Sequence, residues 1–475
     1  MAPLLVLMIL CSCSSKKVAE GSLPPDTITL DYYTIGSPDA DLQQVSGAIN
    51  KILAEKLGIA ISYNKIGWQD YEDKLRSLAA SGSFDVAFAN NYSELARQGA
   101  FLALDPYLAS EGRQMAELID PVLWQGARAI DGLIYGVPTN KELSVQEHWM
   151  YAKELVDKYK IDITKLTTFE SLEPYLKIIK ELEPLYQPME MDKNTNNFFA
   201  LHGYEYVVDK TIPIVVNPSV LPFKAENAFE TEACLSIMKT MRKYYLAGYI
   251  NEDAALKVSE DLEQGKLVFW RQASGGIFSA NSWSRDRGYK VVSYAVTPPV
   301  VTTEHTQGGV MSVSAQTRHP RESVLFLNAL NTDPEIRNLF NYGIEGVHYT
   351  LDDNGQVEQI FPLRYSGVQY TQGNWFILKT LAGEPLDKWE QYKAQNSKAA
   401  KSPLLGFTAD FSKCEPIISN IKIAAEKYYS ILITGSVDAE TVLPMFLEEL
   451  EEAGISKALE EVQEQLDEWS RIHIK

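Results

Sequence analysis

The chain has 475 residues, 45% of them hydrophobic and 11% aromatic, enough for two or three domains with sizeable cores. Its 44 basic residues stand against 63 acidic ones, and the resulting net charge of −19 argues against nucleic acid and against anionic lipid head groups as partners. The 6 His and 4 Cys show no metal-ligand spacing, so no metal or other cofactor is expected.

From Ala2 to Leu10 the chain is almost wholly aliphatic. That is the length of a signal-peptide core, and it is shorter than the roughly 20 apolar residues a membrane-spanning helix needs. No Lys or Arg precedes Leu4, so either the native start lies upstream of Met1 or the basic region has been trimmed. Leu10-Cys11-Ser12-Cys13 resembles a bacterial lipobox. Cys13 fits the lipidated position better than Cys11, because Ser12 before it is small and Leu10 before Cys11 is not. Residues 14–25 are charged, contain Gly, Ser and Pro, and read as a flexible tether. In the body only Cys234 and Cys414 remain. They read as two isolated buried thiols, with pairing in an oxidising compartment as the alternative.

The first structured segment, "TITLDYYTIG", alternates β-formers and meets Gly36, a strand running into a turn. Leu42, Val45, Ile49, Ile52, Leu53 and Leu57 then fall at helical spacing, and Gly58 stops the helix. Ile59–Tyr63 is a second strand, Asp70–Leu78 a second helix with a stop at Ser81-Gly82, and Phe84–Ala89 a third strand. Strand and helix alternating at these lengths predict a mostly parallel α/β sheet. The pattern continues with strands in "GLIYGVP" and "SVQEHWMY", and with helices in "AKELVDKYK" and "TFESLEPYLKIIKEL", the latter introduced by Thr168. Strands follow in "KLVFWRQ" and "KVVSYAVTPP", then a helix in "RESVLFLNALN" after His319-Pro320. The C-terminal third is helical and acidic, and no repeat period is visible.

In this order, "GWQDYEDKLRSLAASGSFDVAFAN", "GAFLALDPYL" and "DGLIYGVPTNKE" resemble the substrate-binding proteins of ABC importers. The resemblance is closest to the extracellular type-1 solute-binding lipoproteins of Gram-positive bacteria. "GGVMSVSAQTRHPRESVLFLNAL" matches their strand–Pro–helix return, and "SPLLGFTADFS" with "LDEW" is similar to their DUF3502-type C-terminal domain. The fold this implies is α/β: a two-lobe, periplasmic-binding-protein-like (type II) fold with hinge strands and a helical C-terminal region. The expected layout is a signal and lipobox over 1–13 and the tether over 14–25. One lobe takes 26–139 with 295–335, and the other takes 140–294 with 336–475. Hinges are expected near Pro138-Thr139 and near Thr297-Pro298-Pro299.

A sugar site needs rings to stack and polar side chains to take hydroxyls, at the carboxyl ends of strands. Asn90, Asn91 and Tyr92 follow a strand in "FDVAFANNY", where a simple turn is the competing reading. Trp270 and Arg271 end a strand before Ser274-Gly275-Gly276, and the resemblance implies a cleft-facing aromatic there. Core packing for Trp270 and a salt bridge for Arg271 are the alternatives. Trp283 sits between Ser282 and Ser284. Asn140, Lys141 and Glu142 follow the first hinge and are candidates for the cleft floor. Tyr342, Glu345 and Trp375 lie in Gly-rich loops. Trp68, just before a helix, reads as a capping or staple residue rather than a ligand platform.

No GxSxG, HExxH or P-loop Lys is present, and no pair of carboxylates stands out. The expectation is a monomeric, lipid-anchored binding protein on the extracytoplasmic face of the cell membrane, not an enzyme. It would close around a solute and deliver it to an ABC permease. The Trp and Tyr richness is most consistent with a carbohydrate, an oligosaccharide. The rivals are a lipid-anchored glycoside hydrolase and a sensor uncoupled from transport.

Overall fold

The computed structural model describes residues 23–89, 92–193, 198–208, 210–257 and 267–474. Cys11, Cys13, Asn90 and Asn91 lie outside the described residues.

The first lobe is built on strands β1 (Ile28–Ile35), β2 (Ile59–Ile66), β3 (Val86–Phe88) and β4 (Gly136–Pro138). Helix Leu42–Leu57 connects β1 to β2, buries Val45, Ile49 and Leu53, and ends on Gly58 at φ 69°, a left-handed stop that costs glycine least. Strands β1, β2 and β3 are parallel.

The second lobe holds β5 (Gln146–Ala152), β6 (Gln187–Met189), β7 (Val268–Gly275) and β8 (Val291–Ala295). Its sheet order is β8-β5-β7-β6, with β5 antiparallel to both neighbours. The chain then returns to the first lobe as β9 (Val310–Val313), which inserts antiparallel between β3 and β4, giving the order β2-β1-β3-β9-β4. Alternation in a sequence reports strand faces and not strand direction, so neither reversed strand was visible in the pattern.

Two large cores back these sheets. The first-lobe core runs from Leu30 and Tyr32 to Phe326 and Phe340, and the second-lobe core joins Trp149, Phe169 and Phe229 to the C-terminal helices. Those helices, Glu415–Ile433, Ala439–Ala453 and Ile455–His473, bury Tyr429, Phe446, Val462 and Leu466. Cys234 and Cys414 are both buried and free, and burial pushes both thiols up.

The chain crosses between the sheets at 139–145 and at 296–309, and Val300–Val301, within the second crossing, pairs with Ala400–Lys401. Residue 335 is not a packing boundary. Helix Pro334–Tyr342 places Ile336 and Phe340 in the first-lobe core, and Tyr365 joins them there. A third, smaller core of Tyr342, Tyr349, Val357, Trp375, Leu378, Trp389 and Tyr392 follows. Much of 336–375, expected with the second lobe, therefore packs with the first. No local pattern could show this, because the amphipathic helix Pro334–Tyr342 fits any apolar surface equally well.

Candidate functional site

At the carboxyl end of β2, Gly67 leads to Trp68, whose side is 41% exposed. Trp68 stacks on Tyr370 with centroids 6.1 Å apart and planes 26° apart, and Phe88 meets Tyr370 edge-on at 6.3 Å. Tyr370 comes from the far side of the chain and is held by the segment around it. Arg337 Nη2 and Trp375 Nε1 both donate to the Gln369 carbonyl, at 2.9 and 3.0 Å. The Tyr32 hydroxyl donates to Gln372 Oε1. The Tyr370 carbonyl sits so close to Gly309 that a Cβ there would lie 2.4 Å from it, so this approach requires glycine.

The first crossing is buried. The Asn140 backbone donates to the Gly373 carbonyl at 2.9 Å and accepts from Trp375 N at 2.9 Å. Lys141 and Glu142 are 5% and 8% exposed, with Nζ and Oε1 3.9 Å apart. Burial raises the Glu142 carboxyl against the lowering effect of Lys141. Its Oε2 has no hydrogen-bond partner among the described residues.

Between the lobes lies a cavity of about 460 Å³. Ser93 bounds it from the first lobe, Glu147 and Tyr204–Val208 from the second, Thr297, Pro298 and Gln307 from the second crossing, and Lys401 from the strand paired with that crossing. Glu147 accepts from Gln272 Nε2 at 2.8 Å and from Ser274 Oγ at 2.7 Å, and burial raises its carboxyl. Glu205 accepts from Ser402 Oγ at 3.0 Å and is pushed up to about 7 by burial. His305, on the same wall, is lowered to about 4, chiefly by burial and then by Lys141.

Several expected ligand contacts are occupied elsewhere. Tyr92 is 2% exposed, stacks on Phe101, and its hydroxyl donates to the Ala127 carbonyl at 2.6 Å. Trp270 is fully buried against Trp149 at 5.4 Å and Phe169 at 6.2 Å, because it lies on the core face of β7. Arg271, on the other face, pairs with Glu190 at 3.1 Å and Asp192 at 2.7 Å. Trp375 is 8% exposed in the third core, and Glu345 is exposed beside Tyr349. Trp283 is half-buried, edge-on to His148 at 5.7 Å and against Gly275 at the end of β7. Asn140, Lys141 and Glu142 are buried in the first crossing and do not line the interlobe cavity.

Trp68, expected to cap or staple the following helix, stacks on Tyr370 and stays partly exposed. The strand-end rule that selected Asn90 applies equally to Trp68 after β2. Tyr370, Glu147 and Glu205 carry no comparable local signal. Among the described residues, no group of His, Cys, Asp or Glu is placed to hold a metal ion, and no helix is long and apolar enough to cross a membrane.

Comparison with known proteins adds to this geometry. Residues 47–346 match the family described as bacterial extracellular solute-binding protein, and residues 403–471 match a domain of unknown function, DUF3502. A carbohydrate ABC transporter substrate-binding protein of Streptococcus pneumoniae is 30% identical over 468 residues, covering 96% of this chain and 93% of that relative. The crystal structure of the N-glycan transport solute-binding protein NgtS from the same species superposes with a TM-score of 0.84 at 29% identity, over 94% of this chain and 99% of that one. The NgtS complex with Man5GlcNAc has a TM-score of 0.79 at 29% identity, with the same coverage.

Proposed function

The chain belongs to the bacterial extracellular solute-binding protein family, and from that premise we propose that it is the receptor of an ABC importer for an oligosaccharide. The observation that carries the carbohydrate reading is the stacked, partly exposed Trp68–Tyr370 pair. Its flat apolar surface suits the C–H face of a sugar ring, with polar groups nearby to take the hydroxyls. The carbohydrate named for the pneumococcal relative and the glycan bound in its structural neighbour support the same choice.

In this mechanism the sugar settles first on the Trp68–Tyr370 face. The second lobe swings about the crossings at 139–145 and 296–309 and encloses it, as in other hinge-closing binders. The closed form then docks on permease subunits in the membrane. A lipid on Cys13 keeps the protein, as a monomer, at the extracytoplasmic face of a Gram-positive cell. The buried Glu142 takes a sugar hydroxyl at the first crossing, and Trp283 reaches the ligand from the second lobe. Asn90 and Asn91, which follow Ala89 in the sequence, contribute further hydrogen bonds to the sugar. The protein binds and does not turn its ligand over.

The test is a thermal-shift screen against mono- and oligosaccharides, followed by chromatography of the sugar. A ligand at about 100 times its Kd adds roughly 2.7 kcal/mol to stability. A shift with intact sugar supports the receptor. Cleavage products would point instead to the hydrolase, and no shift with any sugar would overturn the carbohydrate assignment.

A further inference from the structure

We propose that the interlobe cavity selects glycans that carry no anionic group and turns away those bearing a carboxylate. This deepens the oligosaccharide reading above and rests on it, with the bound glycan extending from the Trp68–Tyr370 face into this cavity, which neither ring lines.

The warrant is the charge of the cavity wall. Glu147 and Glu205 line it, and Lys401, exposed at its edge, is the one Lys or Arg among the described lining residues. The imidazole of His305 is kept neutral near pH 7 by burial and offers no compensating charge. No Arg is among the described lining residues, so the planar fork that takes a carboxylate in two parallel hydrogen bonds is missing from this wall.

The same wall suits neutral sugars. Gln272 and Ser274 fix the Glu147 carboxylate, and Ser402 fixes that of Glu205, while each carboxylate retains lone pairs for further donors. Sugar hydroxyls and acetamido N–H groups are such donors, and their bonds to an ionised acceptor are stronger than neutral ones. A ligand carboxylate meets like charge in a partly desolvated space, where repulsion is felt more than in water. Selectivity then arises from the repelled competitor as much as from the favoured ligand.

The experiment uses titration calorimetry on the full chain at about pH 8, above the Glu205 value of about 7. Three probes are compared: Man5GlcNAc, the same glycan with one terminal C6 oxidised to the uronic acid, and its neutral uronamide. The uronamide controls for shape. The expected result is that the uronamide binds like the parent and the acid binds about tenfold weaker or worse, with the gap shrinking as salt is raised. In a Glu147→Gln, Glu205→Gln chain, confirmed folded by its melting transition, the gap should also narrow. Equal or tighter binding of the acid in the unaltered chain overturns the inference and leaves the receptor reading standing. A gap unmoved in the Glu147→Gln, Glu205→Gln chain overturns it too, since the cause would not be the charge of that wall. Binding of none of the three counts against the glycan-receptor reading itself, and the inference falls with it.

Discussion

Trp68 lies stacked on Tyr370, with ring centroids 6.1 Å apart, although one follows β2 and the other belongs to the third core. Residues from opposite ends of the chain thus make one aromatic surface. Trp68 is 41% exposed, so removing it leaves little cavity behind. Trp68→Ala should weaken sugar binding by about 1–2 kcal/mol, roughly five- to thirtyfold in Kd, and lower the unfolding free energy by less than about 0.5 kcal/mol. Calorimetry alongside urea unfolding separates the two. Unchanged affinity would remove Trp68 from the site.

Trp270 predicts the opposite pattern. It is fully buried between Trp149 and Phe169. Trp270→Ala should cost about 3–5 kcal/mol of stability through lost packing and the void left behind. At a temperature where the variant is folded, its sugar affinity should match that of the parent. A large loss of affinity with little loss of stability would return Trp270 to the cleft.

Lys65 ties the segment around Ser366 to β2 of the first lobe. Its ammonium lies 2.7 Å from Asp39 and donates to the Ser366 carbonyl at 2.6 Å, and its side chain is 2% exposed. Lys65→Met leaves the Asp39 carboxylate without its partner, a change that typically costs about 3–5 kcal/mol for a buried pair. Hydrogen exchange should rise first over 363–371, where Tyr370 sits, before the core of the first lobe opens. Uniform exchange across the lobe would show that this pair does not act locally.

Glu205 makes stability depend on pH. Burial lifts its carboxyl from an ordinary 4.5 to about 7, so between these values the folded state holds a proton that the unfolded chain has released. That contribution is complete below about pH 4.5 and is lost as pH rises through about 7, a difference of about 3 kcal/mol. His305, lowered to about 4, contributes in the other direction, stabilising above about pH 6.5 and losing that contribution as pH falls. Urea midpoints measured from pH 5 to pH 8 should therefore fall less in Glu205→Gln than in the parent. Parallel curves would place the Glu205 carboxyl back in its ordinary range.

The lipobox reading has its own check. Cys13→Ala should release the protein from membranes into the medium, and Cys11→Ala should not. Release by Cys11→Ala alone would move the anchor to that residue.

The sequence by itself determined the elements and their order. Leu42, Val45, Ile49 and Leu53 can bury themselves only on one helical face, and Gly58 ends that helix because it alone enters the left-handed region cheaply. The ordered segments that resemble solute-binding proteins were legible for the same reason: packing patterns are local. Side-chain direction at Trp270 and Arg271 was not, since adjacent strand residues face opposite ways and only the sheet's neighbours say which face is the core. Tyr370 on Trp68, helix Pro334–Tyr342 in the first-lobe core, and the cavity shared by Glu147 and Glu205 depend on contacts between distant segments. Tertiary structure alone decided them, because each is set by the geometry of closing the chain on itself and leaves no mark on neighbouring residues.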